Sequence, residues 1–493
     1  MRSHVLATVK ACSLRRFTQS TSKYQENQQL IAIPKPLINK KIIREQPEAW
    51  SNYCVRRNNE QLKDHPLEIK RLLAKLHELQ TKARSSREQN NKNQNELSKL
   101  SATGNQDPLG QQESKTLRQS LIEEGRRLKD ELSITEAREA EVQSKADTLA
   151  AQLPNIISNE TPEKEFKEVG NINRNLSTWI KHIDSDHVRI GTELDLLDFQ
   201  GAAKTSGSGW YFLKNEAVQL EQALVQYAQS VATKHGFALV APPSMVYADI
   251  GASCGYRPRD QNGEQQIYSI KAADEHEKRT LINAGTAEIP FAGMKANMTF
   301  GIGDLPLKIV GSSRCFRAEA GGRGRATRGL YRVHEFTKVE MFAWTFPEKD
   351  IEVFTTMLKV QTEILQNLGL HCRILEMPAY DLGHSAARKQ DIEAYFPSRR
   401  DRNGGWGEVT STSLCTDYQT RRLATRVKKP GLETMRTFPY TVNGTALAVP
   451  RILQALLEYG YQESEDKKMV KIPEVLWPFM NGIWSIERDK NAM

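Results

Sequence analysis

Cysteine is scarce in this sequence and has no pattern. Six thiols are scattered over 493 residues (Cys12, Cys54, Cys254, Cys315, Cys372 and Cys415), with no Cys-x-x-Cys pair and no Cys/His cluster at zinc-finger spacing. A zinc ribbon and a disulfide scaffold are thereby excluded, and buried thiols in a reducing compartment are expected. Long apolar runs are also missing: no stretch of eighteen or more apolar residues occurs, so nothing is long enough to span a bilayer and no membrane partner is expected. No acid stands before Glu26, whereas Arg2, Lys10, Arg15, Arg16 and Lys23 do. An Arg- and Ser-rich, acid-poor start has the composition of an organelle transit peptide, and Val5 to Val9 is too short for a secretory apolar core. Residues 1–25 are therefore set apart as a transit peptide, expected to be mitochondrial, with a disordered basic tail that carries no address as the alternative.

The chain is long enough for two to four folded units. Its 39 % hydrophobic content, with 30 glycines, is that of an ordinary globular protein. Lys and Arg outnumber Asp and Glu by 69 to 60, a net charge of +9 that favours a polyanionic partner.

From Leu67, apolar positions Ile69, Leu72, Leu76, Leu79 and Ala83 step by three and four, the spacing of a coiled-coil seam. The segment Gly104 to Gly110, with two glycines and Pro108, predicts a turn. A second seam runs Leu121, Gly125, Leu128, Leu132, Thr135, Glu139, Val142, Ala146, Leu149 and Leu153, until Pro154 stops it. Two such helices make an antiparallel arm about 50 to 60 Å long. Between Leu67 and Thr103, eight basic residues face four acidic ones. That surplus suits contact with phosphates, or it is the solvated face of a structural hairpin.

Residues 155–205 read as a polar connector of mixed helix and loop. Beyond it, Asn215 is a candidate N-cap for a helix with Leu220, Leu224, Tyr227, Ala228 and Val231 on one face. Strands are expected at Phe237–Ala241, Leu307–Val310, Met341–Phe346, Cys372–Leu375 and Phe438–Val442. Their irregular spacing argues for an α+β fold with an antiparallel sheet rather than a βαβ repeat. The densest chemistry lies between Cys315 and Arg332, where Gly321, Gly322 and Gly324 alternate with Arg323, Arg325 and Arg328. This is a cationic loop that a phosphate could draw closed, and no Gly-Lys-Ser/Thr follows to make it a P-loop. After it, strand alternation puts Phe336, Lys338 and Glu340 on one face. His334 and His384 have no metal-ligand spacing and are expected to be structural.

Phe316 to Glu340 resembles motif 2 of class II aminoacyl-tRNA synthetases in the wording of the seryl-tRNA synthetases. In order around it, Leu220–Pro243 resembles motif 1, Thr286-Ala287-Glu288 the serine-specific Thr-x-Glu motif, Glu408-Val409-Thr410-Ser411 an ATP and metal motif, and Asn443 to Arg451 motif 3. The likeness spans roughly residues 40–480. Gly251 to Asp260 departs from the family's Gly-Thr-Gly-Gln-Leu-Pro wording.

The resemblance implies a class II synthetase antiparallel sheet flanked by helices, an N-terminal coiled-coil arm for tRNA(Ser) over 26–154, a catalytic domain over 206–493, and a homodimer formed through motif 1. It implies that L-serine is activated by ATP to seryl-adenylate and then transferred to tRNA. By position, Arg317 would hold the α-phosphate and the reacting serine, Ala318 and Glu319 would meet the adenine, Phe336 would stack on it, and Arg451 would take the γ-phosphate. Glu408 and Ser411, within the ATP-contacting run that includes Val409 and Thr410, would hold Mg2+. Thr286, Ala287, Glu288, Glu340, Asn443 and Thr445 would form the serine pocket, with Glu340 reading the hydroxyl and Glu288 the ammonium. A mitochondrial matrix enzyme is the leading expectation. A non-catalytic, tRNA-binding relative and a coiled-coil scaffold are the alternatives, and the scaffold leaves the motifs from Thr286 to Arg451 unexplained.

Overall fold

The computed structural model describes residues 36–102, 108–176, 186–257, 266–271, 279–318, 329–429 and 431–489. The transit segment and the Gly-Arg loop, with Glu319, lie outside them.

Helices α1 (His65–Ala102) and α2 (Pro108–Gln152) form a long antiparallel hairpin. Lys145 reaches Glu68 at 3.2 Å, Gln80 meets Glu139 at 3.1 Å and Arg87 meets Glu136 at 2.7 Å. The second helix starts earlier than the turn residues suggest, at Pro108, because a first helical position has no use for the N–H that proline lacks. The apolar grip is concentrated at the base, where Ile69, Leu72 and Leu76 bury against Val142, Ala146, Ala150 and Leu153. Farther out polar residues join the buried Ala83, Leu121 and Leu128 in the seam: Ser86 and Thr135 are buried, and the Asn93 side-chain amide nitrogen is buried without a hydrogen-bond partner.

Three arginines, Arg57 and Arg422 buried and Arg257 half-buried, fasten the hairpin to the body. Arg57 donates to the carbonyls of Ile156 (2.9 Å), Gly383 (2.9 Å) and Ala386 (2.6 Å). Arg422 reaches the carbonyls of Ala151 and Leu153, and Arg257 that of Gln152 at 2.6 Å. These carbonyls end α2, where no intrahelical donor remains and the helix dipole is negative. The divergent segment Gly251–Asp260 thus contributes one of the clasping side chains, Arg257.

The body is built on an eight-stranded sheet. In chain order its strands are β1 (Lys167–Ile172), β2 (Ala238–Leu239), β3 (Leu307–Phe316), β4 (Glu335–Thr345), β5 (Cys372–Glu376), β6 (Arg388–Tyr395), β7 (Trp406–Thr416) and β8 (Tyr440–Ala448). Their spatial order is β1-β5-β6-β7-β8-β4-β3-β2, antiparallel throughout except β2 with β3. The expected strands all fall in this sheet. The stretch 155–205 differs from the reading as a connector: β1 pairs with β5 as the sheet's edge. An edge strand exposed on most of its length carries no apolar alternation, and so its sequence reads as loop.

Helices α3 (Glu216–Lys234), α4 (Glu288–Met294), α5 (Asp350–Asn367) and α6 (Val449–Gly460) cover the sheet. Strand β4 shows how the two faces separate. Val339, Met341 and Ala343 join the core with α3, α5 and α6, whereas Phe342 and Trp344 pack with Phe291 of α4 on the other side. Phe336, Lys338 and Glu340 share the parity of Phe342 and so face the α4 side. Helix α3 buries Leu220, Leu224, Tyr227, Ala228 and Val231 as expected, but Asn215 does not cap it. Its side chain donates instead to the Asp195 carbonyl and carboxylate. Among the described residues no helix is long and apolar enough to cross a membrane.

Candidate active site

The middle of the sheet splays, and the site opens there. The β7–β8 ladder runs from Thr416↔Thr441 to Thr412↔Gly444 and stops. The next two carbonyls, of Ser411 and Thr445, are taken from the helical side by the fully buried Gln361 of α5, whose amide nitrogen donates to both at 2.9 and 2.8 Å. A buried carbonyl without a partner costs about 1–3 kcal/mol, so this one side chain allows the strands to part. On the opposite face, Ser411 and Thr445 line a cavity together with Arg317, Phe336, Lys338, Glu408 and Arg451.

A bulge sits on each side of the gap. Between β6 and β7, Ile392 pairs with Thr410 but Glu393 with Glu408, leaving Val409 as the extra residue. Between β4 and β8, Val339 pairs with Leu447 but Glu340 with Thr445, leaving Ala446. Bulges re-aim side chains. Here Glu408, Val409 and Ser411 all reach the cavity, while Thr410 does not: it is buried with its hydroxyl unpartnered, opposite Ile392 of the core.

Arg451, at the start of α6, donates to the Glu408 carbonyl at 2.7 Å and to its carboxylate at 3.1 Å. Its guanidinium lies 4.6 Å from the centre of the Tyr331 ring. Desolvation in the cavity raises the Glu408 carboxyl, but Arg451, Lys389 and Arg317 outweigh it and hold the group at about 2. The Arg317 guanidinium sits over Phe336, 5.3 Å from the ring centre. Its backbone is fixed by His334, whose carbonyl accepts from the Arg317 N–H at 2.8 Å and whose ring contacts the Arg317 carbonyl and Tyr268. His334 is thus structural. So is His384, whose ring burial and the nearby Arg257, Arg57 and Arg422 push down to about 3.

The predicted serine residues form a second, deeper group. Lys338 pairs with Glu340 at 2.6 Å, and the Thr445 hydroxyl donates to Glu340 at 3.2 Å. Asn443 donates to Glu288 at 3.2 Å, and Gln419 donates to the other Glu288 oxygen at 2.6 Å. Burial foremost, then the charge of Glu340, pushes Glu288 up to about 7, against the opposing pull of Lys338 and Gln419. Thr286 accepts the Glu288 backbone N–H with its hydroxyl, and Ala287 is a buried N-cap that offers no polar group. Ala318 stays at the edge, its N–H bound to the Gln266 carbonyl.

Sequence reasoning missed Tyr331, Gln419 and Asp391, and it placed Lys338 on the face of Phe336 and Glu340 without giving it a role. Tyr331 and Lys338 stand inside the motif 2 wording, so a signal existed for them. Asp391 pairs with Ser411 across the ladder, contacts Lys389 at 3.0 Å and leaves one buried carboxylate oxygen without a partner. No local pattern marks it. Among the described residues no three His, Cys, Asp or Glu side chains group as a metal site, and the five described cysteines are buried and free.

Comparison with known proteins gives one answer. The model of the tRNA synthetase class II core domain (G, H, P, S and T) matches residues 268–459, and that of the seryl-tRNA synthetase N-terminal domain matches residues 37–157. The chain is 39 % identical over 360 residues to the mitochondrial serine–tRNA ligase of Saccharomyces cerevisiae, covering 72 % of this chain and 77 % of that one. It is 40 % identical over 366 residues to the serine–tRNA ligase of Rhodopirellula baltica, covering 74 % and 83 %. The crystal structure of seryl-tRNA synthetase from Pyrococcus horikoshii complexed with ATP superposes with a TM-score of 0.77 at 31 % identity, over 90 % of this chain and 98 % of that one. With both family domains matched in order, and with that fold beneath them, the chain belongs to the seryl-tRNA synthetases, class II aminoacyl-tRNA synthetases that act as serine–tRNA ligases.

Proposed function

We propose that the protein charges tRNA(Ser) with L-serine in the mitochondrial matrix, and that the cavity at the β7–β8 gap is where ATP and serine meet. The observation that carries this reading is the convergence of Arg317, Phe336, Glu408, Ser411 and Arg451 on one cavity, with the carboxylates and amides of Glu288, Glu340 and Asn443 behind it. In the first step the serine carboxylate attacks the α-phosphorus of ATP and pyrophosphate leaves. In the second the terminal hydroxyl of the tRNA takes the seryl group and AMP leaves. Neither step needs a protein nucleophile, so the work is positioning and charge neutralisation.

Arg317 neutralises the α-phosphate, Phe336 packs against the adenine, and Arg451, already braced by Glu408 and Tyr331, receives the γ-phosphate. Ala318 and Glu319 extend that contact. The donor set at Glu408 and Ser411, with the Asp391 carboxylate beside it, is hard oxygen, and these residues would suit Mg2+. When bound, the ion would supply positive charge to the triphosphate, and this chain's part is to keep Glu408 ionised. Serine's ammonium meets Glu288 and its hydroxyl meets Glu340 and Thr445. A pocket that hydrogen-bonds the hydroxyl rejects alanine strongly, because its buried polar groups would go unpaired.

The hairpin, with its basic first helix, carries the tRNA, and residues 1–25 act as the mitochondrial address. The S. cerevisiae relative, named mitochondrial, supports the compartment. Homodimerisation through the motif 1 region is supported by an apolar groove lined by Pro243, Met245, Ile250, Pro290 and Met294, with Leu239 and Met245 more than half exposed. Serine-dependent ATP–pyrophosphate exchange tests the assignment of the site to serine activation. Exchange stimulated by serine and not by alanine or threonine is expected, and a folded protein without it would refute the assignment.

A further inference from the structure

Asn155 lies three residues beyond the end of α2, where the hairpin joins the body, and is almost completely buried. Its amide nitrogen is 2.8 Å from the Ser385 carbonyl, 2.8 Å from the Cys415 carbonyl and 3.0 Å from the Thr416 hydroxyl. Carbonyl oxygens only accept, so the orientation of this amide follows from its partners. The place it grips is irregular. Leu414 pairs with Val442 but Thr416 with Thr441, so Cys415 is an extra residue in β7. Thr416 adopts φ 49°, a left-handed conformation that a β-branched residue resists. Strain of this kind persists only where the surroundings enforce it, and Asn155 supplies the enforcing contacts.

The bulge aims Cys415 into the serine group. Its thiol lies 3.3 Å from the Asn443 side-chain oxygen, and burial pushes that thiol well up, so it remains a protonated donor. With its oxygen occupied in this way, Asn443 presents its amide nitrogen to Glu288 at 3.2 Å. The second Glu288 oxygen accepts from Gln419, whose own oxygen accepts from the Thr441 hydroxyl at 2.6 Å. Each of these bonds sets a donor against an acceptor. Reversing the Asn443 amide would set its oxygen against the Glu288 carboxylate.

We propose that Asn155 is a positioning residue for serine recognition: by clamping the Cys415 bulge it sets the thiol that orients the Asn443 amide against Glu288. The proposal rests on the reading of Glu288 and Asn443 as serine contacts. It also explains why a residue from the foot of the hairpin is buried more than 200 residues in sequence from its partners.

Full-length protein in the ATP–pyrophosphate exchange assay provides the test, with KM measured separately for serine and for ATP. Asn155→Ala and Cys415→Ala should each raise the serine KM about three- to tenfold, the effect of one net hydrogen bond, with the ATP KM and kcat changed less than twofold. Cys415→Ser, which keeps a donor, should stay near wild type. Thr416→Gly should restore serine affinity in the Asn155→Ala background, because glycine holds positive φ without strain. A lowered kcat with both KM values unmoved in Asn155→Ala would overturn the proposal, leaving only a structural role. If that variant does not fold, the Cys415→Ala and Cys415→Ser pair carries the test, and an unchanged serine KM in Cys415→Ala is equally fatal. Asn443→Ala separates the two readings. A raised serine KM there beside an unmoved one in Asn155→Ala overturns the clamp alone, whereas no change there removes the serine assignment and the clamp with it.

Discussion

In the proposed serine pocket, Glu288 would link activity and stability to pH through one group. Burial, with Glu340 nearby, raises it from 4.5 to about 7. To hold the ammonium of serine it must be ionised, and at pH 6 only about one tenth of a group titrating near 7 is. The kcat/KM for serine, which reports the free enzyme, should therefore fall about tenfold between pH 8 and pH 6, while that for ATP changes much less. Stability runs the other way. The folded protein holds this proton more tightly than the unfolded chain, so the stabilisation is complete below pH 4.5 and is lost as pH rises through 7. A separation of that size amounts to about 3 to 4 kcal/mol at most. Glu288→Gln does not titrate. Relative to this variant, the wild type should lose Tm by several degrees between pH 5 and pH 8, while the variant itself activates no serine. Parallel pH profiles for serine and ATP, or an unchanged Tm difference across that range, would refute the argument.

Arg451→Ala should abolish pyrophosphate exchange by at least about a hundredfold, since a charge clamp on the triphosphate acts mainly in the transition state, and circular dichroism should show the fold retained. Excising residues 81–138 and closing the hairpin with a short turn keeps the apolar base and the α2 carbonyls bound by Arg422 and Arg257. Exchange should survive this excision within about twofold, tRNA charging should collapse, and the salt dependence of tRNA binding should flatten. Equal charging by the shortened protein would make the hairpin a structural element only. Residues 1–30 fused to a reporter should direct it to mitochondria, and a diffuse cytosolic signal would count against the transit assignment.

The parts of the fold that were legible in the sequence are those governed by periodicity. The three-four steps from Ile69 to Ala83 and from Leu121 to Leu153 give the hairpin, because burial along a helix leaves that imprint directly. The apolar runs at Leu307, Met341 and Cys372 give central strands for the same reason. Strand β1 was hidden because an exposed edge has no buried face to write into its side chains. The ordered motifs placed Arg317, Phe336, Glu408, Ser411 and Arg451 as candidates, and the structure brings all five to one cavity.

What the motifs do not encode is the set of backbone irregularities that makes those residues converge. Three bulges, at Val409, Cys415 and Ala446, lie in the two central strands, and each sits beside a residue the site needs. Without the first, strict alternation would turn either Glu408 or Ser411 away from the cavity, since residues three apart in a regular strand face opposite sides. The same rule explains why Thr410, inside the motif, points into the core. A bulge is paid for in lost ladder hydrogen bonds, and the compensation comes from distant side chains: Gln361 bonds the Ser411 and Thr445 carbonyls, and Asn155 bonds that of Cys415. Neither amide belongs to a motif, and neither is near its partner in sequence. The chemistry of the site is therefore written in short runs, whereas its geometry depends on single polar residues buried far away. Gln361→Leu should lower activity at every substrate by destabilising the gap, but Asn155→Ala should be felt through serine alone.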